Sequence, residues 1–123
     1  MTTKELIKNN TYLISALLHS RTQTHIYHLR TDSYSTHKAL EEYYTKIGKL
    51  LDSYAEVFQG TYGLLNGYET FSLNNNPNNS IKYLTGLTNT LQDTMIPDDN
   101  LKNILDTINE LIYRTIYKLK NLK

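Results

Sequence analysis

The sequence predicts an all-α protein, a four-helix bundle with a polar loop between its second and third helices. Three observations point there. No Val/Ile/Thr alternation of the kind a strand needs is sustained anywhere in the chain, and glycine and proline number only 5 and 2 in 123 residues. Apolar residues recur at helical spacing in separate segments. Most of these segments open on Ser, Thr or Asp, whose short side chains satisfy the first free backbone N–H groups of a helix.

Taken in order, the first helix is expected over residues 3–28. Leu6, Leu13, Leu17 and Ile26 fall near one face, which Ile14, Leu18 and Ala16 widen. The stretch LRTDSYS interrupts it and supplies Thr31, Asp32 or Ser33 as a cap. The second helix should run from about Tyr34 to the glycines at Gly60 or Gly63, with the stripe Leu40, Tyr43, Ile47, Leu50/Leu51, Tyr54 and Phe58. GYETFSLNNNPNNS, residues 67–80, is rich in Asn and contains a Pro, so it reads as a loop. Ser80 then opens a shorter helix over about 80–94. Pro97-Asp98-Asp99 starts the last one, which carries Leu101, Ile104, Leu105, Ile108, Leu111, Ile112 and Tyr117. Asp at its start and Lys118, Lys120 and Lys123 at its end complement the helix dipole. Four helices in 123 residues make one domain, 1–123, with antiparallel packing.

Composition removes several function classes. Lys+Arg 13 against Asp+Glu 12 leaves a net charge of +1, which argues against nucleic acid or an anionic membrane as partner. The absence of cysteine excludes disulfides, thiolate metal sites and thiol nucleophiles. A metal would therefore take His and carboxylate ligands, a set that suits iron, manganese or zinc. No apolar run reaches the roughly 20 residues of a membrane span. The start, MTTKELIKNN, lacks a signal-peptide pattern, so a cytoplasmic location is expected. There is no G-x-x-x-x-G-K-[ST], no H-E-x-x-H and no G-x-S-x-G. Glu-x-x-His is also missing, which argues against a di-iron centre within one subunit.

Chemistry concentrates in HIYHLRTDSYSTH, residues 25–37, which holds three of the four histidines. Beside its apolar stripe the second helix carries another face with His37, Glu41, Tyr44, Gly48, Asp52, Ala55 and Glu56. Asp52 and Glu56 are one turn apart and suited to one cation. His37 and Asp52, however, are separated by about 22 Å at ~1.5 Å per residue, too far for a single ion within one chain. Two chains related by a two-fold axis near residues 44–47 would bring His25 and His37 of one subunit against Asp52 and Glu56 of the other. Gly48 and Ala55 would allow close helix approach there, and Tyr44 would sit near the axis.

The pattern His25, His37, Asp52, Glu56, in steps of 12, 15 and 4 residues, resembles the ferroxidase signature of the Dps-like miniferritins in the ferritin-like superfamily. The resemblance is ungapped over about a quarter of the chain. It departs at Ile26, where the family typically has Trp, and at Arg30-Thr31-Asp32, which replaces Gly-Pro. It implies a ferritin-like bundle whose His25, His37, Asp52 and Glu56 are both metal ligands and catalytic residues, shared across a homodimer two-fold. Iron is the implied metal, replaceable by zinc or manganese. Glu41, outside the matched pattern but one turn after His37, is a candidate auxiliary ligand by its position. The implied activity is oxidation of Fe(II) by dioxygen or hydrogen peroxide, with iron storage or detoxification if a larger cage forms. His28 and His19 fall outside the pattern, His28 reading as a surface or supporting group. Tyr43, Tyr44 and Tyr54 are candidate electron donors. The shortened second half also resembles uncharacterised ferritin-like phage proteins, which would place the chain in host cytoplasm. The alternative from a different class is a non-catalytic helical oligomer, a viral structural or interaction protein that keeps the fold.

Overall fold

The computed structural model describes all residues, Met1–Lys123, and contains four α-helices and no strand. They are α1 (Thr3–Arg30), α2 (Tyr34–Tyr62), α3 (Ser80–Asp93) and α4 (Asp99–Asn121), with a single 3₁₀ turn at Pro77–Asn79 ahead of α3. No helix is long and apolar enough to cross a membrane.

Local chemistry sets the helix ends. Thr2 Oγ1 accepts from Glu5 N at 3.1 Å, Ser33 Oγ from Thr36 N at 3.3 Å, and Asp98 Oδ1 from Leu101 N at 3.0 Å. Ser33 is thus the cap among the three residues the sequence offered. Ser80 does not act as a side-chain cap, because its hydroxyl donates back to the Pro77 carbonyl and closes the 3₁₀ turn. Gly63, at φ 122°, ends α2 in a backbone conformation that side-chain-bearing residues rarely adopt.

The order around the bundle follows from which elements touch. α1 packs on α2 and α3, and α4 packs on α2 and α3, leaving α1/α4 and α2/α3 as the diagonals. Three residues, 31–33, join α1 to α2 as an antiparallel hairpin. Segment 63–76 then runs back the length of α1, with Asn66 bonded to Thr11 at one end and Asn74 to Gln23 toward the other. α3 therefore starts at the hairpin end and descends parallel to α2. α4 returns, its Asp98 accepting from Tyr62 at the foot of α2 and its Leu122 carbonyl accepting from Ser35 at the head. Every packed neighbour is antiparallel, and one long crossover connects the two halves.

The core is made where the 3.6-residue stripes of α2 and α4 meet. Leu40, Tyr43, Ile47, Leu51, Tyr54 and Phe58 are buried on α2, as are Leu101, Leu105, Ile108 and Ile112 on α4. On α4 the seam ends with Ile116 and Leu119, while Tyr117, expected in the stripe, is 58% exposed. α1 departs further. Leu18 is 42% exposed and Ile26 only half-buried, whereas Asn10, Thr11, Ser15, Ser20, Gln23 and Thr24 are buried. α1 lies between α2, α3 and the crossover, so its inward surface is wider than one apolar stripe and carries polar groups that need partners.

Those partners are present. Tyr54 donates to Asn10 Oδ1 at 2.6 Å, and Asn10 Nδ2 donates to the Leu6 and Met95 carbonyls at 3.0 and 3.2 Å. One side chain thus ties α1 and α2 to the α3–α4 link. Higher up, Ser20 Oγ and Tyr43 Oη share a hydrogen bond of 2.7 Å. On the crossover side Thr11 accepts from Asn66 N, Ser15 from Glu69 N, and Gln23 pairs with both the N–H and carbonyl of Asn74. At the surface, Glu42 on α2 accepts from Lys46 and from Lys118 of α4, which hold its carboxyl at about 2, below the ordinary 4.5.

Two expectations follow. Asn10→Ala strands a buried tyrosine hydroxyl and frees the Met95 carbonyl, and should lower unfolding stability by about 2–3 kcal/mol in urea titrations. A loss within about 0.5 kcal/mol, the range of an ordinary surface change, would contradict this account. Glu42 has its folded carboxyl below its unfolded value, so its contribution is present above about 4.5 and is lost as pH falls toward 2. Glu42→Gln should flatten the pH dependence of the melting temperature in that window, modestly because the groups are solvent-screened.

Candidate metal centre

The short α1–α2 hairpin sets the last turn of one helix beside the first turn of the next. His28 and His37 meet there and brace each other through the backbone. His28 Nδ1 donates to the His37 carbonyl at 2.7 Å, and His37 Nδ1 donates to the His28 carbonyl at 2.9 Å. A carbonyl only accepts, so each neutral ring carries its proton on Nδ1 and keeps a lone pair on Nε2. The two rings lie stacked, centroids 3.6 Å apart and planes 20° from parallel. Histidines that bind metals usually have their second nitrogen fixed in this way by a carbonyl or carboxylate, which sets tautomer and orientation in advance.

Glu41 completes the group. It stands one turn after His37 on α2, and His28, His37 and Glu41 offer ligand atoms within 4.8 Å of one another. His28 is 6% exposed, while His37 and Glu41 are half-buried at the mouth. Two imidazoles and one carboxylate, with one side open, form the ligand set of many non-haem iron sites, and zinc accepts the same donors. Around it, Tyr44 Oη lies 3.5 Å from His28 Nε2 and its ring stacks on exposed His25 at 4.2 Å and 14°. Tyr34 flanks His37 at 6.5 Å.

Of the residues the sequence singled out, His37 and Glu41 are brought together, and His25 lies beside them across Tyr44. Asp52 and Glu56 are exposed further along α2, about 22 and 28 Å from His37 at helical rise, and do not join the group within one chain. Gly48, expected to admit a partner helix, is covered by the chain's own Arg21, whose Cζ would lie 3.2 Å from an added Cβ. His28 was read as a surface or supporting group and is instead a member of the cluster. Its signal was present but faint: it closes α1 just before a three-residue turn, with His37 and Glu41 at i and i+4 beyond.

Residues 28–119, about three quarters of the chain, match a family of unknown function, DUF5856. The chain belongs to that family. No curated protein and no solved structure matches it. The DUF5856 region begins at His28 and takes in His37, Glu41, Asp52 and Glu56, so the whole hairpin cluster lies inside it, while His25 lies three residues ahead of it.

The reciprocal backbone bonds are directly measurable. Long-range ¹H–¹⁵N spectra of the metal-free protein at neutral pH should show the Nδ1–H tautomer for both His28 and His37, whereas free imidazoles favour Nε2–H. An Nε2–H pattern at either residue would contradict the arrangement.

Proposed function

We propose that this DUF5856 chain is a ferritin-like, ferroxidase-type iron protein that takes Fe(II) as substrate and oxidises it at the hairpin mouth, at sites completed by a two-fold-related subunit. The observation that carries this reading is the juxtaposed His28–His37–Glu41 group, whose donors suit Fe(II) and whose two Nδ1 atoms are held by backbone carbonyls. The topology supports it, because a single long crossover between two antiparallel helix pairs is the connectivity of ferritin-like bundles.

In this reading His37 and His28 hold the ion through nitrogen, Glu41 offsets its charge, and His25 lies close enough to enter after a rotamer change. Asp52 and Glu56 of a second copy would add carboxylates, which favour the ferric product and bridge a second iron. Their exposure is what an intersubunit role requires. Each Fe(II) releases one electron, so a pair of ions reduces one hydrogen peroxide, which takes up two protons and leaves as two waters, and yields two Fe(III). Dioxygen serves as the alternative acceptor. Tyr44, stacked on His25, is the nearest aromatic electron donor.

A second reading, a non-catalytic helical oligomer, is favoured by one observation. Leu29 and Tyr34 beside the hairpin are largely exposed, as an assembly contact would need.

Aerobic and peroxide-driven Fe(II) oxidation decides between the two. Wild-type protein should oxidise iron well above background, and His37→Ala and Asp52→Ala/Glu56→Ala should both fall to background. Mixing His37→Ala with Glu56→Ala subunits should restore one intact site per heterodimer. Background rates in folded wild-type protein would support the assembly reading, and activity retained by Asp52→Ala/Glu56→Ala would confine the site to one chain.

A further inference from the structure

A second site lies on the other side of α1, between that helix, α3 and the crossover, and it shares no residue with the iron reading. A cavity of about 490 Å³ opens there, large enough for a compact organic molecule. Its walls are aromatic. Phe71, carried by the crossover, meets the Tyr12 ring edge-on at 5.7 Å and the His19 ring at 5.4 Å, while Tyr27 and Tyr83 stand edge-to-face at 6.1 Å.

The polar groups in the cavity are unevenly committed. Tyr83 donates to His19 Nδ1 at 2.7 Å, and His19 Nε2 donates to the Ser72 carbonyl at 2.9 Å, so both are used in holding the crossover down. Tyr27 is different. It is 1% exposed, its hydroxyl makes no hydrogen bond within the chain, and burial alone raises its pKa, so it is a protonated donor. The hydroxyl is open to the cavity and so is free to donate to a molecule bound there. Lys82 at the rim forms no ion pair, and no carboxylate lines the cavity. The charge there is therefore complementary to an anion. Asn74 and Asn79 add amides to the same rim, and the wall at Gly86 is open, since a Cβ placed there meets nothing within 4 Å.

We infer that this cavity is a binding site for a small planar aromatic compound bearing an anionic group, its ring held against Phe71 and Tyr83, a polar atom accepting from Tyr27, and its anion facing Lys82. Flat aromatic walls favour a planar ring, which stacks or packs edge-on without distorting them. One uncompensated ammonium at the rim selects a ligand with negative charge at one end. Nucleoside monophosphates and aryl carboxylates share this chemistry.

The test uses the full chain and three probes: 8-anilinonaphthalene-1-sulfonate followed by fluorescence, with AMP and indole-3-acetate as competitors. The sulfonate dye should bind saturably at one site per chain. Gly86→Leu places a side chain in the cavity and should weaken dye binding at least about tenfold. Its melting temperature should hold or rise, because glycine is a poor helix-interior residue. Lys82→Ala should weaken binding about fivefold, and Tyr27→Phe about threefold, each consistent with losing one hydrogen bond or charge contact. Displacement by AMP assigns a nucleotide-like ligand, and displacement by indole-3-acetate an aryl acid. Equal dye binding by wild type and a folded Gly86→Leu would overturn the proposal, placing the dye on surface leucines instead. So would dye that neither competitor displaces, or the absence of saturable binding by all three probes.

Discussion

Thr11, Ser15, His19 and Gln23 stand one turn apart along α1, and each holds a backbone group of the crossover: Asn66 N–H, Glu69 N–H, the Ser72 carbonyl and both polar groups of Asn74. The spacing is a consequence of 3.6 residues per turn, which returns every fourth side chain to nearly the same face. Segment 63–76 has no helix or sheet of its own, so its buried N–H and C=O groups need partners from elsewhere. α1 supplies them. The arrangement makes the crossover a fixed part of the bundle and thereby sets where α3 begins and which way it runs.

Both candidate sites depend on that placement. With its crossover-facing side occupied by polar bonds, α1 buries His28 at its last turn under the start of α2, where the hairpin's own carbonyls accept from the Nδ1–H groups. On the opposite side, the same ladder suspends Phe71 and Asn74 over α3 and so forms the aromatic cavity. The lower bundle is held by a different group, Tyr54–Asn10, which connects α1, α2 and the α3–α4 link. Hydrogen bonds of this kind add modest net stability when made and a large penalty when one partner is removed. They specify this packing against alternatives in which α1 rotates or slides.

Much of this was legible in the sequence where burial follows one apolar stripe. α2 and α4 read correctly because Leu40 through Phe58 and Leu101 through Ile112 repeat at the helical period, and Ser33 and Asp98 cap as their chemistry suggests. α1 was legible as a helix but not in its orientation. Leu18 and Ile26 look like core from hydropathy, while the groups that are buried, such as Asn10, Ser20 and Gln23, look like surface. Their burial depends on partners far along the chain, Tyr54 and Met95 for Asn10, Tyr43 for Ser20 and Asn74 for Gln23, and a pattern of residue types does not encode which partner arrives. His28 was underestimated for the same reason. The pairing of His37 with Glu41 was readable from i,i+4 spacing, and the placement of Asp52 and Glu56 away from them was readable from helical rise. The crossover reads as a polar loop, but it is held to α1 through backbone N–H and C=O groups that any residue type carries, so its residue types do not mark the attachment.

The measurement that tests the central claim most directly is an iron-edge anomalous difference map from crystals soaked anaerobically in Fe(II) at neutral pH. The account predicts a peak at the hairpin mouth within coordinating distance of His37, Glu41 and His28, with both Nδ1–carbonyl bonds retained. Crystals that hold iron elsewhere, or none at the mouth while the two rings remain stacked, would contradict it and leave the histidine pair as a structural clasp.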